Sequence, residues 1–274
     1  MNDSEECLRA SCPWVRLWVG NPCSRESLTR PSLFIFRSDS ASTSSASRCR
    51  GVRAIADLPP GSVFAVRVTR LAVAAVSGYL LGTLPSADIA SRLAGRDQDV
   101  RAMGSGNPGA ANAAAVLGAG WGSFVLAADV AKGGMAAGLG RSIAGAPGAH
   151  LGGCSAVIGH CFPVWTGFGG GGKGVATSAG QCLATFPAYF PIDLAVAYGT
   201  ARWRRRASAA TAVASATWVM SAALWWRFSL PNAWGPAPGP GLVLAAVTSS
   251  AVINYRFRQA ARISGGARGD RAGD

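Results

Sequence analysis

Acidic residues are scarce in this 274-residue chain: 13 Asp and Glu stand against 26 Lys and Arg, and charged residues together make up 14%. A water-soluble domain carries about a quarter. The deficit points to a chain surrounded by lipid. Lysine is scarcer still, since all the basic residues except Lys132 and Lys173 are arginine. Lysine is a compact point charge and arginine a rigid fork, and the two lysines sit in the most motif-like stretches. The seven cysteines form no C-x-x-C pair, so neither a metal site nor a disulfide framework is expected. Cys154, Cys161 and Cys182 lie in apolar runs and read as small buried hydrophobes. The net charge of +13 does not gather on one basic face. Arginines punctuate apolar runs or crowd the chain ends, as membrane topology requires, so nucleic acid is not an expected partner.

Residues 1–62 differ in kind. "RSDSASTSSASRCRGVR" is rich in Ser and Arg without periodicity, so it cannot bury enough surface to fold alone. It has no signal-peptide core, because "LFIF" is too short. A disordered extension is expected, consistent with an over-extended start and translation from near Val63 or Val66. Residues 263–274 read as a flexible tail. Between them, apolar segments cover about 71–91, 113–139, 148–165, 174–201, 207–226 and 237–255. Most approach the ~20 residues needed to cross a bilayer as a helix, and lipid leaves helices as the only reasonable choice for such segments. The expected fold is therefore all-α, a polytopic membrane bundle over residues 63–262. Pro187 and Pro191 interrupt segment 174–201, and counting it as two short passes gives seven crossings. That count puts the loops at Gly104 and Lys173, the "RWRRR" run and the C-terminus on the cytoplasmic side.

"MGSGNPGAAN" (Met103–Asn112) carries G-x-G-x-x-G, but no strand precedes it and a dinucleotide site is not expected. What survives is backbone able to approach an anion closely at Gly104 and Gly106, with Ser105, Asn107 and Asn112 as donors. "AADVAKGG" places Asp129 and Lys132 three residues apart on one helical face. Either they neutralise each other, or Asp129 orients Lys132 toward a bound phosphate. "GHCFPVWTGFGGGGKGVAT" has His160, a Pro-Trp break and a near P-loop that lacks the Mg²⁺-binding hydroxyl after Lys173. Its glycines read as a nest of N–H groups beside one ammonium. His160 reads as functional because this loop follows it; His150 reads as a loop residue.

The order G-S-G-N-P-G-A-x-N, D-x-x-K-G, then G-H-x-F-P with G-G-K-G-V-A-T resembles the bacterial acyl-phosphate:glycerol-3-phosphate acyltransferases. "GYLLGTLPSADIASRL" (Gly78–Leu93) is similar to that family's first helix, and the resemblance covers about residues 70–262. It implies a seven-helix enzyme of the bacterial inner membrane. Such an enzyme moves an acyl group from acyl phosphate to the 1-hydroxyl of glycerol 3-phosphate, with no cofactor and no metal. It implies site roles for Gly104, Ser105, Gly106, Asn107 and Asn112, for Lys132, and for His160, Gly171, Gly172, Lys173 and Gly174. Arg202 and Arg262 fit two further positions. Ala111 stands where the family has Thr, Gln259 where it has Asn, and Arg205 where it has Ser. The eroded third motif leaves a substrate-altered or inactive homologue as a second reading. A small-anion carrier is a third, because broken helices and glycine loops also bind ions in carriers.

Overall fold

The computed structural model describes residues 60–96, 99–204 and 207–269. The expectations for the N-terminal extension and for Arg205 lie outside these. Every regular element among the described residues is helical: α1 (Pro60–Gly82), α2 (Ser86–Leu93), α3 (Ala110–Leu117), α4 (Ala119–Cys161), α5 (Val175–Thr185), α6 (Phe190–Arg204), α7 (Ala207–Arg227) and α8 (Pro240–Gly269). Two helices, Ser62–Leu93 taken through the α1–α2 turn and Ala207–Arg227, are by themselves long and apolar enough to cross a membrane.

α4 is two helices rather than one. Ala144 and Gly145 leave helical geometry, and Gly145 takes a φ of 65°, a left-handed conformation open to glycine at no steric cost. Pro147 follows in the first turn of the second arm, where its missing N–H costs nothing. The arms (119–143 and 146–161) fold back on one another. A Cβ on Gly140 would lie 2.1 Å from the Gly148 oxygen, and one on Gly152 would lie 2.5 Å from that of Ala136.

Similar backbone approaches set the other packings. Gly78 and Gly82 of α1 seat on Gly152 and Ala156 of the second arm, while Gly133 of the first arm meets Thr177 of α5. Small residues let membrane helices come this close. The single apolar segment expected at 71–91 is instead divided at Thr83–Pro85. Segment 174–201 breaks between Thr185 and Phe190, around Pro187, as expected. Pro191 falls in the first turn of α6, where it is tolerated. A cluster of Cys182, Phe186, Tyr189, Trp218, Ala222, Leu242 and Ala246 fills that break. With the α4 arms counted separately, α1, both arms and α5–α8 make seven longer helices.

The helices expose large apolar side chains that water would penalise: Phe64 is 70% exposed, Met135 54%, Met220 64% and Leu244 67%. One sequence expectation is corrected here. His150 is a buried residue of the second arm, not a loop residue. α8 runs from Pro240 to Gly269.

Candidate active site

The α1–α2 turn, α2, both arms of α4 and the glycine loop after α4 enclose a cavity of about 380 Å³. Its floor is an ion pair. Asp129 and Lys132, each 2% exposed, pair at 2.8 Å. The Ser86 hydroxyl donates to the same carboxylate oxygen at 2.8 Å, and Lys132 Nζ also donates to the Leu84 carbonyl at 3.1 Å. Two charges can remain so deeply buried only when they are paired and hydrogen-bonded. His160 Nδ1 stands 3.7 Å from the same oxygen, beyond a hydrogen bond but close enough for its ring to share the field of the pair.

The glycine loop forms the opposite wall through Gly171 and Gly172. Gly172 lies flat on the imidazole, where a Cβ would sit 2.1 Å from His160 Nε2; at Gly171 a Cβ would run into the Cys161 oxygen at 2.2 Å. Two arginines hold this loop by its carbonyls. Arg101 Nε donates to Gly170 at 2.7 Å, while Arg256 donates through Nε to Gly172 at 3.1 Å and through Nη2 to Gly171. Arg101 is itself fixed by a two-pronged pair with Asp88, at 2.6 and 3.1 Å. Burial alone would lower the Arg101 pKa, but the bonds and charge of Asp88 and Asp99 outweigh it and hold the group above its ordinary value. Asp99 is drawn below the usual carboxylate range by accepting from the Arg101 backbone N–H. Asp88→Asn keeps the shape but loses the charge-assisted bond, worth about 1.5–3 kcal/mol. It should loosen the loop, which faster hydrogen exchange at residues 169–174 would report.

Some expected site residues therefore converge and others do not. Lys132, His160, Gly171 and Gly172 line the cavity, and from the first motif only Pro108 reaches it. Asn112 is buried and acts inside its own loop: Oδ1 accepts from the Ser105 N–H at 2.8 Å, and Nδ2 donates to the Val100 and Met103 carbonyls. Gly104 and Gly106 supply φ of 58° and 68° to that loop. Ser105 is exposed and Asn107 half-buried beside it. Lys173 turns away from the cavity, its Nζ 4.8 Å over the Phe257 ring. Gly174 caps α5. Arg202 and Arg262 are exposed and line no part of the cavity. The expected nest is also partly used up, since the Gly172 N–H donates to the His160 carbonyl and the Gly169 N–H to that of Thr166.

Ser86, Arg101 and Arg256 were not singled out from the sequence. Ser86 follows a Leu-Pro turn that read as the middle of a span. Arg101 and Arg256 sat among arginines assigned to topology, and nothing along the chain marks their distant carbonyl partners. Among the described residues no three His, Cys, Asp or Glu side chains gather to hold a metal ion.

The glycerol-3-phosphate acyltransferase family model matches residues 72–264. The chain is 38% identical over 174 residues to the glycerol-3-phosphate acyltransferase of Paramagnetospirillum magneticum, covering 64% of this chain and 75% of the relative. It is 41% identical over 196 residues to that of Rhodospirillum rubrum, covering 67% and 79%. The crystal structure of PlsY (YgiH), an integral membrane glycerol 3-phosphate acyltransferase, in its glycerol 3-phosphate form aligns with a TM-score of 0.61 at 28% identity. The alignment covers 72% of this chain and 93% of that one. The lysophosphatidic acid form aligns with a TM-score of 0.60 over the same shares.

Proposed function

Because the chain belongs to the glycerol-3-phosphate acyltransferase family, we propose that the Asp129–Lys132 cavity is where it joins an acyl group from acyl phosphate to glycerol 3-phosphate. It is an integral membrane acyltransferase of phospholipid synthesis. The observation that carries the site reading is the buried Lys132, held by Asp129 and facing the glycine loop across an open cavity. In a low-dielectric hollow, one ammonium aimed at a phosphate is worth far more than in water.

Acyl phosphate is already activated, so the chain needs no covalent nucleophile. The 1-hydroxyl oxygen attacks the acyl carbonyl carbon, and the bond from that carbon to the phosphate oxygen breaks. Phosphate leaves with the electron pair. The hydroxyl proton passes to His160 or to a phosphate oxygen of the substrate. Lys132, with the Ser86 hydroxyl bonded to the same Asp129 oxygen, offsets part of the repulsion between two phosphates, and holding the reactants together supplies much of the acceleration. We place the cavity mouth on the cytoplasmic side of the bacterial inner membrane, the side that the Arg202 region and the basic C-terminus favour.

Lys173 acts in this scheme from outside, as a charge near the entrance. Burial pushes its ammonium below the usual lysine range, and the Arg256 guanidinium adds to the shift. It therefore loses its charge at a lower pH than a free lysine. The test is acyl transfer from acyl phosphate to labelled glycerol 3-phosphate in membranes. No product, or anion flux in its place, would overturn the reading. Lys173→Ala should raise KM for glycerol 3-phosphate by about fivefold, as for one half-screened charge of ~1 kcal/mol. In the wild type KM should climb as pH rises through the alkaline range, and Lys173→Arg should flatten that climb.

A further inference from the structure

A groove of about 520 Å³ runs along the open side of the α7–α8 pair, away from the cavity described above. Its lining changes character along α8: Arg258 stands at one end, then Asn254, then Ser250, then Val247, with Ser215 and Met220 of α7 opposite. Steps of three and four residues put these α8 positions on one face. At a helical rise of 1.5 Å per residue, Val247 to Arg258 spans about 16 Å, half of a ~30 Å hydrocarbon core. The cationic end lies level with the candidate site, because Arg256 bonds the carbonyls of Gly171 and Gly172.

Three features of the groove go unused among the described residues. None of the ion pairs among the described residues includes Arg258. Ser250 is 7% exposed, and its buried hydroxyl has no hydrogen-bond partner among them. Met220 and Val247 are 64% and 45% exposed, giving the deep end an open apolar wall. The Asn254 amide bonds Ser215 Oγ at 3.0 Å and the Ser250 carbonyl at 2.8 Å, which ties the two helices together at mid-groove.

We propose that this groove holds one bilayer lipid with an anionic phosphate headgroup. The phosphate pairs with Arg258, an ester carbonyl of the glycerol accepts from the Ser250 hydroxyl, and an acyl chain lies along Val247 and Met220. The order of cation, hydroxyl and hydrocarbon follows the order of groups in one leaflet. A second copy of the chain fits less well, because parallel pairing would bring two Arg258 side chains together in a groove with no acid among its described lining residues.

The test is native mass spectrometry of the full chain equilibrated with equal phosphatidylglycerol and phosphatidylcholine. Phosphatidylglycerol should be retained over phosphatidylcholine by about fivefold, the worth of one basic residue facing an anionic lipid. Arg258→Ala should erase that preference, and Arg258→Lys should keep most of it. Ser250→Ala should weaken retention of both lipids alike. Arg92→Ala, an exposed arginine on α2 outside the groove, should leave the preference intact. Arg258 is itself exposed, so its loss should not disturb folding, which thermal melting checks. Equal retention by the wild type, a preference that survives Arg258→Ala, or one lost equally in Arg92→Ala would overturn the proposal. So would a lipid-free dimer that groove substitutions dissociate, which would give the groove to a second copy.

Discussion

Lys132→Ala should abolish acyl transfer, and it should also destabilise the protein. Both effects come from one geometry. Asp129 is 2% exposed and its cation partner is Lys132 at 2.8 Å. Removing the ammonium strands a carboxylate in the protein interior, and breaking one half of a buried pair costs about 3–5 kcal/mol. Loss of one preorganised donor at a site of developing charge costs a further factor of about 10²–10³ in turnover. The two effects are separable. Asp129→Asn with Lys132→Ala removes the orphan charge while leaving the Ser86 hydroxyl a polar partner. The double variant should recover most of the lost melting temperature and none of the acyl transfer. A double variant that regained turnover would show that the pair holds the fold together and that the chemistry lies elsewhere.

Gly180→Ala should unfold or badly loosen the bundle without touching any group that meets substrate. The added Cβ would fall 1.9 Å from the Val130 carbonyl oxygen, and Gly133→Ala would place one 2.0 Å from that of Thr177. Both obstacles are backbone, so no rotamer change relieves them, and α5 must move off the first arm of α4. Overpacking a tight interface costs about 1–3 kcal/mol even where side chains can yield, and the cost here should lie at or above that range. Gly138, on the same arm, is the control, because a Cβ there meets nothing within 4 Å. Thermal melting in detergent should show a large drop for Gly180→Ala and Gly133→Ala and almost none for Gly138→Ala.

Most of the architecture could be read from composition and breaks. Long apolar segments between arginine-bearing loops gave the helices, and Pro187 gave the divided segment that raises the count to seven. The gap between segments 113–139 and 148–165 already marked the α4 hairpin. What it did not single out was the residue that makes the bend, Gly145, one glycine among 36 in the chain, with small residues on both sides. In the cavity, Lys132 and His160 stood out because charge and imidazole are rare in this sequence. Lys173 stood out for the same reason, but spacing along a loop says nothing of which way a side chain leaves it. The choice between Phe257 and the cavity is made by α8, more than eighty residues later. Asn112 misled for a related reason. An amide that serves substrate and one that serves its own backbone look alike in a string of letters. The three neighbouring backbone groups it satisfies become visible only once the loop is closed.

The helical hairpin also bears on biogenesis. Among the described residues, the groups that meet the Asp129 carboxylate, Ser86, Lys132 and His160, have all been synthesised once residue 160 leaves the ribosome. Helices α5 to α8 are still to come. A charge that could not wait unpaired in the bilayer thus finds its partners among segments already inserted, and vectorial synthesis shields it before the remaining helices arrive.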